Sequence, residues 1–350
     1  MADGGAERGP ASPAPKLPNV LSLTPAEVLG PAHRELAGVL APHSLTVPEA
    51  TADLRRALPD ADYVVGDWTH RLGLDASMLE LAVRCRAIFQ PTSGTETIDL
   101  RRAAELGIAV ANCPGENARA VAEWTVMAML VLLKDAWRHH EGVQAGRWEM
   151  VQAARSGVYE LGGRTVGIVG FGAIGRAVAA RLAGFEPGRV LYFDPVPAGD
   201  EVERRLGVER AGLDELCAAS DVVSLHLPLT RSTRSLFDAG RIARLRPGAV
   251  LINVARGAVL DERALADALD AGRLRGAALD VFEQEPPGPQ SPLRGRSNVL
   301  LSPHLAGSTN EARERMIRRT LQNLGRVLRG GEPLDVVNGI AGLPRPPHDA

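Results

Sequence analysis

Short apolar runs alternate with helical patterns from Asn19 to about Val110, an order that is typical of a parallel sheet covered by helices. The apolar runs read VLSLT, ADYVVGDW, RAIFQPTSG and IAVANC, and the helical patterns include PAHRELAGVL, ASMLELAVRC and RRAAELG. From about Ala118 to His139 apolar residues recur at intervals of three and four, which predicts one long helix. This part of the chain therefore predicts an α/β domain followed by a helix that leads to a second domain.

A second alternation begins at Thr165 and predicts a second doubly wound sheet. Its apolar runs, TVGIVG, VLYFDP, DVVSLHLP, AVLINVA, GAALDVF and VLLSP, predict five or six strands. A helical pattern from Asn310 to Arg329 follows and leads into a Pro-rich ending. A chain of 350 residues is long enough for two cores. We therefore expect an α/β fold with two doubly wound parallel-sheet domains and a cleft between them.

Composition narrows the function classes. Lys and Arg number 40 against 42 for Asp and Glu, so no charge excess indicates nucleic acid or a membrane surface as the partner. Residues 1–18 are rich in Gly, Ala and Pro and predict a disordered leader, and Val121 to Leu133 is too short and too polar for a membrane span. The three cysteines, Cys85, Cys113 and Cys217, do not have the spacing of metal ligands, so we expect no metal site. We expect them to be thiols in the core of a cytoplasmic protein.

The stretch TVGIVGFGAIGRAVAARLAGF predicts a buried strand, a glycine-rich turn and a helix. Gly170, Gly172 and Gly175 have the G-x-G-x-x-G spacing, in which the glycines permit a tight turn, backbone contact with a pyrophosphate and close packing of helix on strand. Asp194 follows at the end of VLYFD, where a carboxylate would accept a hydrogen bond from the adenosine ribose. A carboxylate there repels a 2′-phosphate, and the following PVPAGDE contains no arginine to bind one, so we expect NAD to be favoured over NADP.

Three polar residues follow later strands, at the sheet edge where α/β proteins bind ligands. Taken singly each is more often structural, and Arg256 could simply form an ion pair with Asp261 or Glu262. Together they would suit the reduction of a keto acid. Arg256 would bind a carboxylate, His304 would donate a proton to the carbonyl oxygen, and Glu285 would raise the pKa of the imidazole.

Five ordered motifs resemble the D-isomer-specific 2-hydroxyacid dehydrogenase family, which includes phosphoglycerate, glyoxylate/hydroxypyruvate and D-lactate dehydrogenases. The motifs are IVGFGAIGR with Asp194, HLPLTRSTR, INVARG, LDVFEQEP and SPHLAGST, and the likeness covers about residues 60–340. It implies two Rossmann-like or flavodoxin-like domains. The substrate-binding domain is made from residues 19–119 and 311–350, and the NAD-binding domain at 120–310 is inserted between them. The family's catalytic arginine, glutamate and histidine fall on Arg256, Glu285 and His304.

The resemblance also implies binding residues. The family's substrate loop corresponds to QPTSGTETIDL, so the backbone N–H groups of Ser93 and Gly94 are expected to bind the substrate carboxylate. This loop departs from the common pattern at Pro91, Thr92, Glu96 and Thr97, which leaves the substrate open. The expected cofactor contacts are Ala173, Ile174, Asp194, Leu227, Pro228, Val254, Ala255, Asp280 and His304 to Gly307.

The family resemblance further implies a homodimer formed through the NAD-binding domain. The apolar segment from Val121 to Leu133, with Trp137 and Trp148, is one candidate contact surface, and the alternative is that it belongs to the core. The expected reaction is hydride transfer between nicotinamide and the C2 of a small D-2-hydroxy or 2-keto acid. Formate dehydrogenases resemble the chain less, because they have glutamine in place of Glu285. A phosphite or phosphonate dehydrogenase and a non-catalytic, NAD-sensing binding protein remain as alternatives.

Overall fold

The computed structural model describes residues 18–29, 51–69 and 71–343. The predicted leader up to residue 17, the helical pattern PAHRELAGVL and the end of the Pro-rich segment lie outside the described residues. The chain divides into two compact units, the first formed by Met1–Pro114 with Glu314–Ala350 and the second by Gly115–Arg313. The domain boundaries expected from the sequence, at 119/120 and 310/311, lie a few residues from this division.

The described residues form parallel strands and the helices between them. The strands are β1 Val20–Ser22, β2 Tyr63–Val65, β3 Ala87–Phe89, β4 Ala109–Ala111, β5 Thr165–Val169, β6 Arg189–Phe193, β7 Glu209–Arg210, β8 Val222–Leu225, β9 Val250–Asn253, β10 Gly276–Leu279 and β11 Val299–Leu301. The helices are α1 Ala26–Leu29, α2 Thr51–Ala57, α3 Ala76–Leu79, α4 Leu100–Glu105, α5 Ala118–Lys134, α6 Ala136–Gln144, α7 Met150–Ser156, α8 Ala173–Leu182, α9 Asp200–Leu206, α10 Leu213–Ala219, α11 Ala239–Ile242, α12 Glu262–Asp270 and α13 Asn310–Leu328.

The first unit contains a four-stranded parallel sheet in the order β1-β2-β3-β4. Because successive side chains of a strand point to opposite faces, each strand contributes to two separate cores. Val64 and its neighbours pack with Leu54 of α2 on one face. Phe89 and its neighbours pack with Leu324 and Val327 of α13 on the other face. The last long helix of the chain therefore completes a core that the first strands begin.

The second unit contains a seven-stranded parallel sheet in the order β11-β10-β9-β8-β5-β6-β7. Buried clusters cover both faces, one around Leu251 and Leu265 and the other around Ile168 and Met129. Chain order reverses between β5 and β8, which is the point where ligands bind at the carboxyl ends of such sheets. The expected fold class, α/β with two doubly wound parallel sheets, is confirmed.

Three local features differ from the sequence-based prediction. The single helix expected from Ala118 to His139 is interrupted at Asp135, which adopts a left-handed conformation with φ of 51° and separates α5 from α6. A further helix, α7, follows Trp148, and the two-residue strand β7 extends the sheet beyond β6. Helix α7 and strand β7 are both short, so neither has a hydrophobic period long enough to be recognised in the sequence.

The segment from Val121 to Leu133 is mainly core. Val121, Met129 and Leu133 are almost fully buried among residues of the second unit, which leaves little of the segment to contact a partner. Among the described residues, no helix is long and apolar enough to cross a membrane. The same residues contain no cluster of three or more His, Cys, Asp or Glu side chains that could hold a metal ion.

Candidate active site

The glycine-rich turn follows β5, and each of its three glycines meets different surroundings. Gly170 has φ of 94°, and a Cβ there would lie 2.7 Å from the carbonyl oxygen of His226. A Cβ on Gly175 would lie 2.2 Å from the carbonyl oxygen of Gly170. At Gly172, in contrast, a Cβ would lie within 4 Å of no atom of the described residues other than its chain neighbours. Packing of the described residues therefore requires the first and third glycines, whereas the second is open to a ligand.

The residues around this turn fit a dinucleotide. Helix α8 begins at Ala173, and its N-cap residue provides no side-chain hydrogen bond, so the N–H groups of the first turn, including that of Ile174, are suited to bind an anion. The Asp194 carboxylate is held at the turn because Oδ2 accepts a hydrogen bond from Phe171 N at 2.8 Å and Oδ1 accepts one from Val196 N at 2.9 Å. Each oxygen retains acceptor capacity for a ribose hydroxyl.

His226, at the carboxyl end of β8, was not predicted as a functional residue, although it lies within the HLPLTRSTR motif. Its Nε2 lies 3.0 Å from Ser224 Oγ, and its buried Nδ1 has no hydrogen-bond partner among the described residues. Burial lowers the pKa of His226 to about 3, so the ring is neutral at physiological pH. Of the next two residues, both expected to contact the cofactor, Leu227 lies beside Gly170, since a Cβ on Gly170 would lie 3.1 Å from Leu227 Cδ2, and Pro228 follows it.

The turn that carries Arg256 is shaped by a buried asparagine. Asn253 ends β9 and has no exposed surface. Its Oδ1 accepts a hydrogen bond from Ala255 N at 3.0 Å, and its Nδ2 donates to the carbonyl oxygen of Arg256 at 3.1 Å. The predicted contacts Val254 and Ala255 are buried in this turn. Asn253 therefore determines where Arg256 leaves the sheet.

Glu285 belongs to the loop after β10, which lies directly against this turn. A Cβ on Gly257 would lie 1.8 Å from the carbonyl carbon of Phe282, so no side chain fits between the two segments. Glu262, at the start of α12, accepts a hydrogen bond from Glu283 N at 2.7 Å and holds the loop from the other side. The negative charge of Glu285 and the positive charge of Arg256 are close enough that Arg256 contributes to lowering the pKa of Glu285.

His304 and Glu285 form the central pair of the site. His304 Nδ1 lies 2.8 Å from Glu285 Oε2, and Glu285 Oε1 accepts a hydrogen bond from Phe282 N at 3.0 Å. The hydrogen bond with Glu285 raises the pKa of His304 above its ordinary value, against the opposing effect of burial. Burial raises the pKa of Glu285, but its two hydrogen bonds outweigh burial and the pKa is lowered. The pair therefore favours a protonated imidazole beside a carboxylate.

Asp280 supports the turn that presents His304. His304 has φ of 55°, a left-handed conformation that a non-glycine residue adopts only where its surroundings require it. Its N–H donates to the carbonyl oxygen of Asp280 at 2.8 Å. The Asp280 carboxylate accepts hydrogen bonds from Leu305 N, Ala306 N and the Ser302 hydroxyl. Burial raises the pKa of Asp280 although these hydrogen bonds oppose it.

Asn117 is a second residue that sequence reasoning missed. A Cβ on Gly307 would lie 2.7 Å from Asn117 Nδ2, so the start of α5 packs against the end of the His304 turn. Gly307 was expected to contact cofactor, and the structure shows a separate steric reason for glycine there. No sequence signal links Asn117 to this turn, because the two positions are far apart along the chain.

The predicted substrate loop lies in the first unit and is held by side chains. Ser93 Oγ donates a hydrogen bond to the carbonyl oxygen of Cys113 at 2.8 Å. The carbonyl oxygen of Ser93 accepts a hydrogen bond from Asn112 Nδ2 at 2.7 Å. Thr92 Oγ1 donates to the carbonyl oxygen of Gly94 at 2.9 Å. Within the part of the chain that the structure describes, the N–H of Gly94 donates to no protein atom. The loop is thus ordered, with a main-chain donor available.

Comparison with known proteins agrees with this geometry. The profile described as "D-isomer specific 2-hydroxyacid dehydrogenase, NAD binding domain" matches residues 126–306. The chain is 38% identical to the glyoxylate reductase of Korarchaeum cryptofilum over 78% of this chain and 82% of that protein. The chain belongs to the D-isomer-specific 2-hydroxyacid dehydrogenase family. The resemblance recognised in the sequence is confirmed, and this family member is an NAD-dependent oxidoreductase.

Two further relatives show the breadth of this family. The D-3-phosphoglycerate dehydrogenase of Archaeoglobus fulgidus is 35% identical over 77% of this chain and 48% of that protein. The NAD-dependent formate dehydrogenase of Staphylococcus aureus, solved in complex with NAD, is 27% identical with a TM-score of 0.81, over 93% of this chain and 99% of that one. Relatives with different substrate names share the fold, so family membership leaves the substrate of this dehydrogenase to be tested.

The different surroundings of Gly172 and Gly175 predict different effects of the same substitution. Gly175→Ala should lower the midpoint of thermal unfolding by about 4–8 °C, because the new Cβ meets backbone and overpacking costs about 2 kcal/mol. Gly172→Ala should leave that midpoint within about 2 °C and weaken NAD binding about tenfold or more, measured by calorimetry. Equal unfolding temperatures for the two variants would contradict the packing argument.

The hydrogen bond between His304 and Glu285 predicts a shift in titration. Glu285→Gln should lower the pKa of His304, because an amide does not stabilise the imidazolium as a carboxylate does. NMR of histidine-labelled protein would follow the ring carbons of His304 against pH. Glu283→Gln is the matched control, since Glu283 is an exposed neighbour on the same loop. Identical shifts in the two variants would show that the pKa is not determined by this pair.

Proposed function

We propose that the protein reduces a small 2-keto acid to the D-2-hydroxy acid with NADH, and catalyses the reverse oxidation. The observation that carries the proposal is the 2.8 Å contact between His304 Nδ1 and Glu285 Oε2. This contact favours a protonated imidazole, and a carbonyl reduction requires a proton donor. Glyoxylate is the first substrate to test, because the Korarchaeum cryptofilum relative is named glyoxylate reductase.

His304 is the general acid of the proposed reaction. Because Nδ1 engages Glu285, the exchangeable proton is the one on Nε2, which would pass to the carbonyl oxygen of the keto acid. The raised pKa of His304 keeps this proton in place to a higher pH than in an isolated histidine. The rate of reduction is therefore expected to fall as pH rises through that pKa, and the oxidation, which needs neutral His304, to rise.

Arg256 and the substrate loop bind the keto acid in this proposal. A guanidinium can pair with both oxygens of a carboxylate, or with one oxygen and the carbonyl group, and so orients and polarises the substrate. Ser93 and Gly94 would donate their main-chain N–H groups to the carboxylate. Bound NADH supplies the hydride that the keto acid accepts at C2. Asp280, by holding the His304 turn, sets the direction of proton donation.

A substrate panel tests the proposed reaction directly. Loss of NADH absorbance would be followed with glyoxylate, hydroxypyruvate, pyruvate, 2-oxoglutarate, phosphohydroxypyruvate and phosphonopyruvate. We expect turnover of at least one keto acid, and a kcat/KM about 10²–10⁴-fold lower for His304→Ala, because general acid catalysis contributes about this factor. Calorimetric titration with NADH would check that the variant still binds the cofactor.

The outcomes of the panel separate the alternatives. NAD-dependent oxidation of phosphite, without turnover of any keto acid, would replace the proposal with a phosphite dehydrogenase. Tight NADH binding with no turnover of either kind would replace it with a binding protein that senses NAD. If Glu285→Gln left the pH at which reduction declines unchanged, His304 would not be the proton donor.

We also propose a homodimer formed through the second unit. The segment of α6, α7 and their connection exposes large apolar side chains, of which Trp148 is 80% exposed and Val151 57% exposed. Contiguous exposed apolar surface is unfavourable in water and is typical of an interaction site. The others in this segment are Trp137, Val143 and Met150. The family resemblance, which implies dimerisation through this unit, makes a second copy the expected partner.

The double variant Trp148→Glu, Val151→Glu should be monomeric in sedimentation velocity at concentrations where the unaltered protein is dimeric, because burying two carboxylates in an interface is costly. Val83→Glu is the matched control, since Val83 is 77% exposed but lies on the first unit. A dimer that persists in the double variant, or an unaltered protein that is monomeric, would refute this interface.

The state of the cysteines supports a reducing, cytoplasmic location. Cys85, Cys113 and Cys217 are all buried, and none of them forms a disulfide. Burial raises the pKa of Cys85 to about 12 and that of Cys217 to about 11, so neither thiol is reactive near neutral pH. Their role is packing, as expected from the sequence.

A further inference from the structure

Arg210, a second charged residue, lies beside Asp194, although the two residues are sixteen positions apart in the sequence. Arg210 is on β7, in register with Tyr192 on the neighbouring strand β6. Its Nη2 donates to the carbonyl oxygens of Asp194 at 3.0 Å and Pro195 at 3.3 Å. Parallel pairing of β6 with β7 therefore places an arginine at the turn where the adenosine ribose is expected.

Most of the hydrogen-bonding capacity of this guanidinium remains available. Among the described residues, Arg210 Nε and Nη1 donate to no protein atom, and no carboxylate lies within ion-pair distance of Arg210. Arg210 is also exposed. An ordinary surface arginine of this protein, such as Arg189 at the other end of β6, pairs with a glutamate instead. Arg210 thus keeps a positive charge and spare donors beside Asp194.

Asp194 and Arg210 have opposite preferences for the 2′ position of the ribose. A carboxylate accepts a hydrogen bond from a free 2′-hydroxyl and repels a 2′-phosphate, whereas an arginine binds a phosphate through paired hydrogen bonds. We propose that Asp194 and Arg210 together determine cofactor choice, Asp194 by favouring NAD and Arg210 by supplying residual affinity for the 2′-phosphate of NADP. In this proposal Asp194 maintains the preference for NAD, although Arg210 already lies where it could bind the 2′-phosphate of NADP.

Arg176 is another cation near this turn, and its contacts differ from those of Arg210. Its Nε donates to the carbonyl oxygen of Phe171 at 3.0 Å, and its guanidinium lies 5.8 Å from the centre of the Phe171 ring. Arg176 follows the glycine triplet on α8 and so accompanies the pyrophosphate-binding end of the turn. Arg210, bonded to the main chain of Asp194 itself, is the closer partner for a group on the ribose.

Binding of nucleotide fragments tests the proposal without any turnover. Calorimetry would measure the Kd of adenosine 2′,5′-bisphosphate and of ADP, which lacks the 2′-phosphate, for the full chain and its variants. Asp194→Ser should bind the bisphosphate about tenfold or more tightly than the unaltered protein, because repulsion is removed. Adding Arg210→Ala to Asp194→Ser should raise the Kd of the bisphosphate about tenfold again, and should change the Kd of ADP less than about twofold.

Arg189→Ala in the Asp194→Ser background is the matched control, because it removes the same charge from the far end of β6. If Arg210→Ala weakened bisphosphate binding no more than Arg189→Ala does, the proposal would be overturned. It would also be overturned if Arg210→Ala weakened ADP and bisphosphate equally, since Arg210 would then only support the turn. Neither result depends on which keto acid the enzyme reduces.

Discussion

The main chain of the turn after β9 lies directly against the main chain of the loop after β10, and Gly257 permits this close contact. With a Cβ 1.8 Å from the Phe282 carbonyl carbon, any other residue would separate the two segments. The separation between the arginine turn and the glutamate loop is therefore set by backbone contact. When the backbone that carries two functional side chains is fixed in this way, fewer additional contacts are needed to hold those side chains in a reactive geometry. Asn253 and Glu262 then fix each segment from its own side.

Two carboxylates of the same site have pKa values that are shifted in opposite directions. Asp280 is buried, and this raises its pKa, while its oxygens are occupied by the N–H groups and hydroxyl of the His304 turn. Glu285 is more exposed, has a lowered pKa and engages the imidazole directly. One acid therefore shapes the turn and the other supplies charge. Differences of environment are how chemically identical groups take separate roles in one site.

Much of this site was readable from the sequence because its residues follow apolar strands at motif spacing. The glycine triplet, Asp194, Arg256 and His304 all follow the carboxyl ends of strands, so periodicity and turn chemistry indicated them as candidates, and the family's motifs implied their roles. The class of fold followed from the same alternation, whereas the order of the strands within each sheet did not. The family's order of motifs supplied the chain order of the two domains.

The residues that were missed act through contacts between distant segments. Asn117 meets Gly307, and Arg210 meets Asp194, only because helix packing and strand pairing bring them together. The break at Asp135 was hidden because the apolar period continues on both sides of one left-handed residue. Local patterns report which face of an element is buried, but they do not report its neighbours.

The first unit is assembled from both ends of the chain, and this affects how the protein is made. A ribosome synthesises residues 115–313, a continuous unit with its own core, before it reaches Leu324 and Val327. Until then the residues of α13 that pack on one face of the first sheet, against Tyr63 and Phe89, have not been made. The unit that is begun first is thus completed last, and for most of synthesis its apolar face is the surface that chaperones, or another nascent chain, would encounter.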